Sequence, residues 1–510
     1  MPTDSNREPP AFLPDDGPVR WTLADNSSLR LLTLCALYVA QGIPWGFVTV
    51  TFAAWLAQPT QGLSTGQIGA ILGVASLPWS FKFFWGPLMD RFTLPKFGRR
   101  RPWIVFAQGM AILVLSSLVL FDDLPGMVWV SEGSAKDSSS QSEQPGPAAD
   151  GVTDSGSAAM PVTDDGTQES LTPKSLPKGI AARWLTRFVP GPLAALILLA
   201  NIFVSMQDVA VDALAVDLLK PEERGVANGL MYGSSYLGTA IGGAGLGWVV
   251  AQHGIAAGVL SQAALLFLIM LLPLFLPETS SASGIPTETS ASPQELPLER
   301  ETSQPSLPAL VKEAFFNRPA ALGLVVALGV RIGIGVLTAV FVDYLLKDGG
   351  WTMEDYTRVT GGYAVLLGLV GAAGGGFLAD RFGPRPMIVL TSMLLAGLWL
   401  SFGMVHWLLS SRIGVTGLLL AQEFLLAVMS ASLFALFMGL CRPRFAATQF
   451  TTYMAMLNLS TTTGSYLAGT MANVLSIHGI LITAAVLQAV MSLPVLLISQ
   501  HHCAPIGESR

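Results

Sequence analysis

Residues 82–103 read KFFWGPLMDRFTLPKFGRRRPW, and the reading of this stretch decides the fold. Its first residues close an apolar run that begins near residue 66, and its last open another at residue 102. Between them lie Arg91, Lys96, Arg99, Arg100 and Arg101, five cations within about a dozen positions. A chain that leaves a bilayer and re-enters it has this pattern, because short cytoplasmic loops collect Lys and Arg. The pattern also returns. Gly86-Pro-Leu-Met-Asp90-Arg91-Phe92 is echoed by Gly376-Phe-Leu-Ala-Asp380-Arg381-Phe382, 290 positions further on.

Working outward, the 510-residue chain is 51% hydrophobic and 12% charged, with mean hydropathy +0.54. Soluble domains carry about 25% charged residues, so a soluble enzyme, a disordered chain and a nucleic-acid binder are all excluded. Apolar runs of bilayer length are expected at 30–57, 66–88, 102–121, 191–218, 226–251 and 258–277. A second set is expected at 318–345, 358–380, 386–409, 413–440, 447–474 and 479–500. Two polar segments interrupt them. Residues 122–190 (Ser, Gly, Pro and Asp) and 278–317 (Ser, Thr, Pro and Glu) cannot bury enough apolar surface to fold alone, and both are read as disordered. The polar segment 1–29 has no apolar signal core, so the first run is expected to serve as the insertion signal, and 501–510 is a polar tail.

The cations set the topology. Besides the cluster at 91–101, Lys220 and Arg224 follow the fourth run, Arg381 and Arg385 the eighth, and Arg442 and Arg444 the tenth. Lys347, Arg358 and Arg412 are the few on the opposite side. Both termini and the 278–317 linker are therefore expected in the cytoplasm, and 122–190 outside. Pro221 and Pro443 are 222 positions apart, and the drop of 68 from the 290 spacing matches the 122–190 insert. An all-α membrane protein is expected, with twelve helices in a six-helix bundle at 30–277 and another at 318–500. Paired repeats around a central cavity are a transporter plan.

A few charges remain inside the runs. Asp208 and Asp212 are four apart and share a helix face. Each costs roughly 2.5–3.5 kcal/mol at bilayer depth on insertion scales, so that face is wet or paired. Lys82 lies about 12 Å along the helix from Asp90, at 1.5 Å per residue, and Asp212 is at a similar depth. Either a structural Lys82–Asp208 or Lys82–Asp212 pair, or a proton-coupling carboxylate released when such a pair opens, fits this placement. Asp217, nine residues from Asp208, faces the other way. Arg331 and Glu423 fall near the midplane of the seventh and tenth runs, either as substrate or coupling groups or as a static buried pair. Gln41, Trp45, Gln207, Gln422 and Asn458 are candidates for a sugar-like ligand, with interhelical hydrogen bonding as the competing role. Gly42 and Pro44 are expected to bend the first helix, and Gly242–Gly247 and Gly371–Gly376 to be close-packing faces.

Enzyme chemistry finds little to use. There is no Gly-Lys dipeptide for a P-loop, and His253, His406, His478, His501 and His502 have no metal-ligand spacing within the runs. The three cysteines form no framework. No cofactor or metal is expected. The expected partners are a small-molecule substrate, protons and lipid, with no nucleic acid, and the chain is read as a monomer.

The helix count, the central linker and the repeated Asp-Arg loop resemble the major facilitator superfamily. Residues 82–103, 207–212 (QDVAVD), 221–225 (PEERG) and 445–450 (FAATQF) resemble the AmpG-type muropeptide permeases. Residues 41–44 (QGIP) are similar also to the acetyl-CoA transporters. The resemblance implies a cavity lined by helices 1, 4, 7 and 10. It also implies a cytoplasmic gate built from Asp90, Arg91, Arg99, Arg100, Arg101, Asp380 and Arg381, with Asp90 near the amino end of helix 11, favoured there by the helix dipole, and one arginine paired with Asp217. The implied activity is proton-coupled import of anhydro-muropeptides or related cell-wall sugars by alternating access. Glu423 matches a family glutamate, and Arg331 stands where the family has lysine. Ala215, Ile334 and Phe424 replace a family lysine, aspartate and asparagine. That loss of polar groups keeps open a carrier of acyl-CoA or another organic anion. A transport-inactive sensor or scaffold that uses 122–190 is the third alternative.

Overall fold

The computed structural model describes residues 22–92, 97–128, 189, 191–219, 224–278, 315, 317–441 and 446–498. Among them the regular structure is helical. The first helices are α1 (Ser27–Leu56), α2 (Thr65–Ser80, continued by Trp85–Arg91 after a turn at Lys82–Phe84), α3 (Arg101–Leu120) and α4 (Pro192–Leu218). The Gly229–Phe275 span has 47 residues, about 70 Å at 1.5 Å per residue, twice the thickness of a bilayer core. It reverses at Gly254, whose φ of +82° suits a residue without Cβ. The part before it (224–253) is α5 and the part after it (255–275) is α6. The remainder are α7 (Arg318–Lys347), α8 (Met353–Phe382), α9 (Pro384–Met404), α10 (Arg412–Leu440), α11 (Ala446–Val474) and α12 (Ile477–Leu497).

The ends are capped as the sequence suggests. Asn26 accepts from the Leu29 amide and Asn317 from that of Ala320, while Ser64 and Gln67 form a capping box at α2. Packing follows the repeat. In the first half α1 lies on α5, and α3 on α4 and α6; in the second, α7 lies on α11, and α9 on α10 and α12. The two halves meet through α2 against α11 and α5 against α8.

The structure corrects several boundaries. α2 is broken at Phe81, which has φ −120° and ψ 10°, so Lys82 sits in a turn. α7 is broken at Val330–Arg331, and Arg331, with φ −110° and ψ 2°, starts a new helical segment. The segment expected to be disordered from residue 122 begins with an ordered turn, because Leu124 and Val128 are buried in the core. Residues 129–188, most of the linker and residues 499–510 lie outside the described residues. In α1, where a bend is expected at Gly42 and Pro44, the helix continues through Pro44 into a π-type turn at Phe47–Phe52.

The meeting of the halves is lopsided. Call the end carrying Arg99–Arg101 the basic end and the other the far end. At the far end glycines bring backbones together: a Cβ on Gly69 would fall 2.3 Å from Ser465 O, and one on Gly243 2.7 Å from Gly361 Cα. Three π-type turns, Phe47–Phe52, Ile241–Gly245 and Val359–Tyr363, meet there. The Thr51 hydroxyl lies 2.7 Å from both Gly242 O and Gly243 O. Thr65 bonds Asp343 across the halves, and Lys347 pairs with Asp343 at 2.5 Å while reaching Leu63 O at 2.5 Å. At the basic end, a Cβ added to Gly86 of α2, Gly229 of α5, or Gly374 or Gly376 of α8 would meet no atom within 4 Å among the described residues. Among the described residues, the space between the halves is shut at the far end, and no comparable close approach is found at these basic-end glycines. Of the two glycine clusters, Gly242, Gly243, Gly247, Gly371 and Gly375 pack closely, whereas Gly245, Gly374 and Gly376 do not.

Candidate functional site

Two charged walls face this space. In the first half, Lys82 Nζ lies 3.1 Å from Asp208 Oδ2. The turn that breaks α2 presents Lys82 to α4. One turn further along α4, Asp212 Oδ1 accepts a 2.5 Å hydrogen bond from the Tyr38 hydroxyl on α1. In the second half, the break in α7 frees the Arg331 amide, which donates to Ser460 Oγ at 3.1 Å. The Arg331 guanidinium donates to Ser430 Oγ on α10 at 2.6 Å. Glu423 stands beside Gly368 of α8 and Tyr236 of α5; a Cβ on Gly368 would lie 3.2 Å from Glu423 Oε1 and 3.1 Å from Tyr236 Cε1. Arg331 and Glu423 act on each other electrostatically but form no ion pair within 4.0 Å among the described residues.

Aromatic groups complete the enclosure. Trp45, 36% exposed, packs edge-on to Trp79 with ring centroids 5.5 Å apart. Asn458 Nδ2 of the other half comes within 3.5 Å of Trp79 O. Tyr232 is within electrostatic range of Lys82, Asp208, Asp212 and Arg331, and so of both walls. Its ring meets Phe434 of α10 edge-on at 6.5 Å.

The glutamines behave differently. Gln422 Oε1 accepts from the Trp399 indole at 2.7 Å, between α10 and α9. Gln207 faces Gln108 at 3.4 Å, and Gln108 in turn donates to Leu266 O. Both are interhelical hydrogen bonds, the competing role, and neither side chain faces the space between the halves. Gln41 is buried, and its amide nitrogen has no partner among the described residues.

At the basic end, Arg100 Nε lies 2.9 Å from Asp217 Oδ2, on the face of α4 away from Asp208. Arg101 donates to Pro273 O and Leu274 O at the end of α6. Arg91 and Arg99 are exposed, as are Asp380 and Arg381, the latter over the Phe382 ring. The Asp90 side chain and the loop into α11 lie outside the described residues. Sequence reasoning missed Glu278. Its carboxylate accepts from the amides of Arg99, Arg100 and Arg101 at 2.9, 2.8 and 2.6 Å, at the amino end of α3, where the dipole favours an anion. It also missed Tyr38, Tyr232, Tyr236, Ser430 and Ser460.

The bundle, its two walls and its closed far end are those of a multi-pass membrane transporter. The chain belongs to the Major Facilitator Superfamily, whose family model matches residues 179–448. A second model, described as acetyl-coenzyme A transporter 1, matches residues 30–127. Among curated relatives, the anhydromuropeptide permease of Escherichia coli (strain K12) is 26% identical over 433 residues, covering 84% of this chain and 71% of the relative. The putative transporter AmpG 4 of Rickettsia conorii is 22% identical over 465 residues, covering 90% and 94% of the two chains. A crystal structure of a point mutant of the nucleoside transporter NupG superposes with TM-score 0.60 at 13% identity, over 92% of this chain and all (100%) of that one, and shares the fold.

Proposed function

We propose that this protein is a proton-coupled symporter that carries an anhydro-muropeptide or a related cell-wall sugar across a bacterial inner membrane by alternating access, and that it is not an enzyme. The observation that carries this reading is the pair of charged walls on opposite halves of a space closed at one end. Basic residues mark the cytoplasmic side, so the basic end is cytoplasmic, both termini lie there, and this conformation, shut at the far end, is inward-facing. The walls hold Lys82 and Arg331 against Asp208, Asp212 and Glu423, one acid more than bases. A single proton balances them, which suits coupling by an intramembrane carboxylate. Arg331, anchored to serines, offers a guanidinium fork to a cargo carboxylate. Arg100–Asp217 and the neighbouring cations act as the cytoplasmic gate.

Uptake of labelled anhydro-muropeptide into proteoliposomes, with and without a proton gradient, tests the proposal. Uptake that ignores the gradient removes the coupling; no uptake removes the cargo. Asp208→Asn or Glu423→Gln is expected to impair transport more than Asp217→Asn alters substrate affinity. A second reading, a carrier of acyl-CoA or another organic anion on the same fold, is supported by the acetyl-coenzyme A transporter model at residues 30–127 and by the lack of an acidic partner within 4.0 Å of Arg331 among the described residues. Competition of muropeptide uptake by acyl-CoA separates the two.

A further inference from the structure

Asp208 and Asp212 are unlike in their partners. Asp208 has the Lys82 ammonium at 3.1 Å. Asp212 has a phenol, Tyr38, at 2.5 Å, and no cation within 4.0 Å among the described residues. One helical turn separates the two carboxylates, and one ammonium serves both. We infer that Asp212, not Asp208, takes up and releases the transported proton, and that Tyr38 is the positioning residue that holds it ready. This rests on the proton-coupled reading above.

The groups that face Asp212 are Tyr38 from α1, Lys82 from α2, Asp208 from α4 and Tyr232 from α5. The ammonium favours the charged form of the carboxylate it touches, so the surplus negative charge is relieved at the other one. A hydrogen bond from a neutral donor to a carboxylate is shorter and stronger than one to a neutral acid. The Tyr38 bond therefore holds α1 to α4 while Asp212 is charged. When the proton arrives on Oδ2, the oxygen that Tyr38 does not touch, this bond weakens and loosens the hold of α1, the helix that also carries Trp45.

The test needs no cargo. Purified protein in lipid nanodiscs is titrated with pH while the carboxylic-acid C=O stretch is followed by infrared difference spectroscopy. The wild type is expected to show a titrating intramembrane band that Asp212→Asn removes and Asp208→Asn keeps. Tyr38→Phe keeps the band and moves its midpoint upward by about one pH unit, because loss of a donor to the charged form favours the acid. A merely structural role for Tyr38 leaves the midpoint in place. The inference is overturned by a wild type with no such band, by a band that survives Asp212→Asn but not Asp208→Asn, or by an unmoved Tyr38→Phe midpoint. If the band behaves as expected while wild-type uptake ignores the gradient, the coupled function fails and Asp212 stands as a proton site without a transport role.

Discussion

Gly361→Ala should open the far end. A Cβ at this position would lie 2.5 Å from Ala244 N, 2.6 Å from Gly243 C and 2.7 Å from Gly243 Cα, all of them backbone atoms that cannot rotate away. Ordinary carbon contacts are about 3.5–4.0 Å, so α5 and α8 must part by about 1 Å. Overpacking of this kind costs roughly 1–3 kcal/mol, which at 1.4 kcal/mol per tenfold is a shift of about 5- to 150-fold against the closed far end. Gly374→Ala is the control, since it lies on the same helix with nothing among the described residues within 4 Å of its Cβ position. The reporter is Thr357→Cys in a background without native cysteines, because Thr357 is 1% exposed and packs against Gly247 at the far end. Its labelling by a membrane-impermeant maleimide should speed up at least fivefold in Gly361→Ala and stay unchanged in Gly374→Ala. Equal labelling rates in the two variants would refute the reasoning, since the close approach of Gly243 and Gly361 would then not be what holds the far end shut.

Gln422→Leu should lower thermal stability by about 1–3 kcal/mol, the cost of a buried indole N–H left without its acceptor, with KM unchanged; a large rise in KM at unchanged stability would place Gln422 in the cargo site instead. Glu278→Gln keeps the shape but removes the charge that three backbone amides share. It should cost about 1–2 kcal/mol, read as a lower unfolding temperature with the coupling ratio intact. Arg331→Gln should raise KM for an anionic cargo about tenfold or more while leaving a neutral analogue of that cargo unaffected; equal losses for both would show that Arg331 acts through the fold.

The membrane plan was legible because runs of about twenty apolar residues have no soluble use, and the repeat was legible because its motif survives at Asp90 and Asp380. The facing of Asp208 and Asp212, and the pairing capacity of Lys82, followed from depth and helical angle alone. The breaks at Phe81 and Val330–Arg331 were not legible. Glycines flank Arg331 at 329 and 333, but glycines such as Gly371 and Gly375 lie in unbroken helix, packed against α10. The tyrosines were missed because a tyrosine in an apolar run reads as well for a lipid interface as for a cavity; the four-residue spacing of Tyr232 and Tyr236 was the available signal. For the glutamines a signal was present. Gln207 and Gln422 each precede a wall carboxylate by one residue, about 100° around the helix, so neither shares the face of its neighbour. Glu278 was hidden by composition, since it opens a polar linker and only the fold brings it to the amino end of α3.

The glycines also bear on how one sequence serves two conformations. Gly69 of α2 and Gly361 of α8 are each in close backbone contact with a neighbouring helix at the far end, while Gly86 and Gly376, equivalent positions of the repeat on the same two helices, have no such contact among the described residues at the basic end. A glycine exposed inside a helix costs about 1 kcal/mol relative to alanine, and close approach is the usual return for that cost in membrane bundles. In this conformation Gly69 and Gly361 have that return, and Gly86 and Gly376 do not. The proposed alternating access would supply it: if the basic ends of α2 and α8 close when the far end opens, a side chain at either position would stand in the way. On that reading, the small residues beside Asp90 and Asp380 serve a state in which the basic end is shut, and α2 and α8 carry a packing surface for each end.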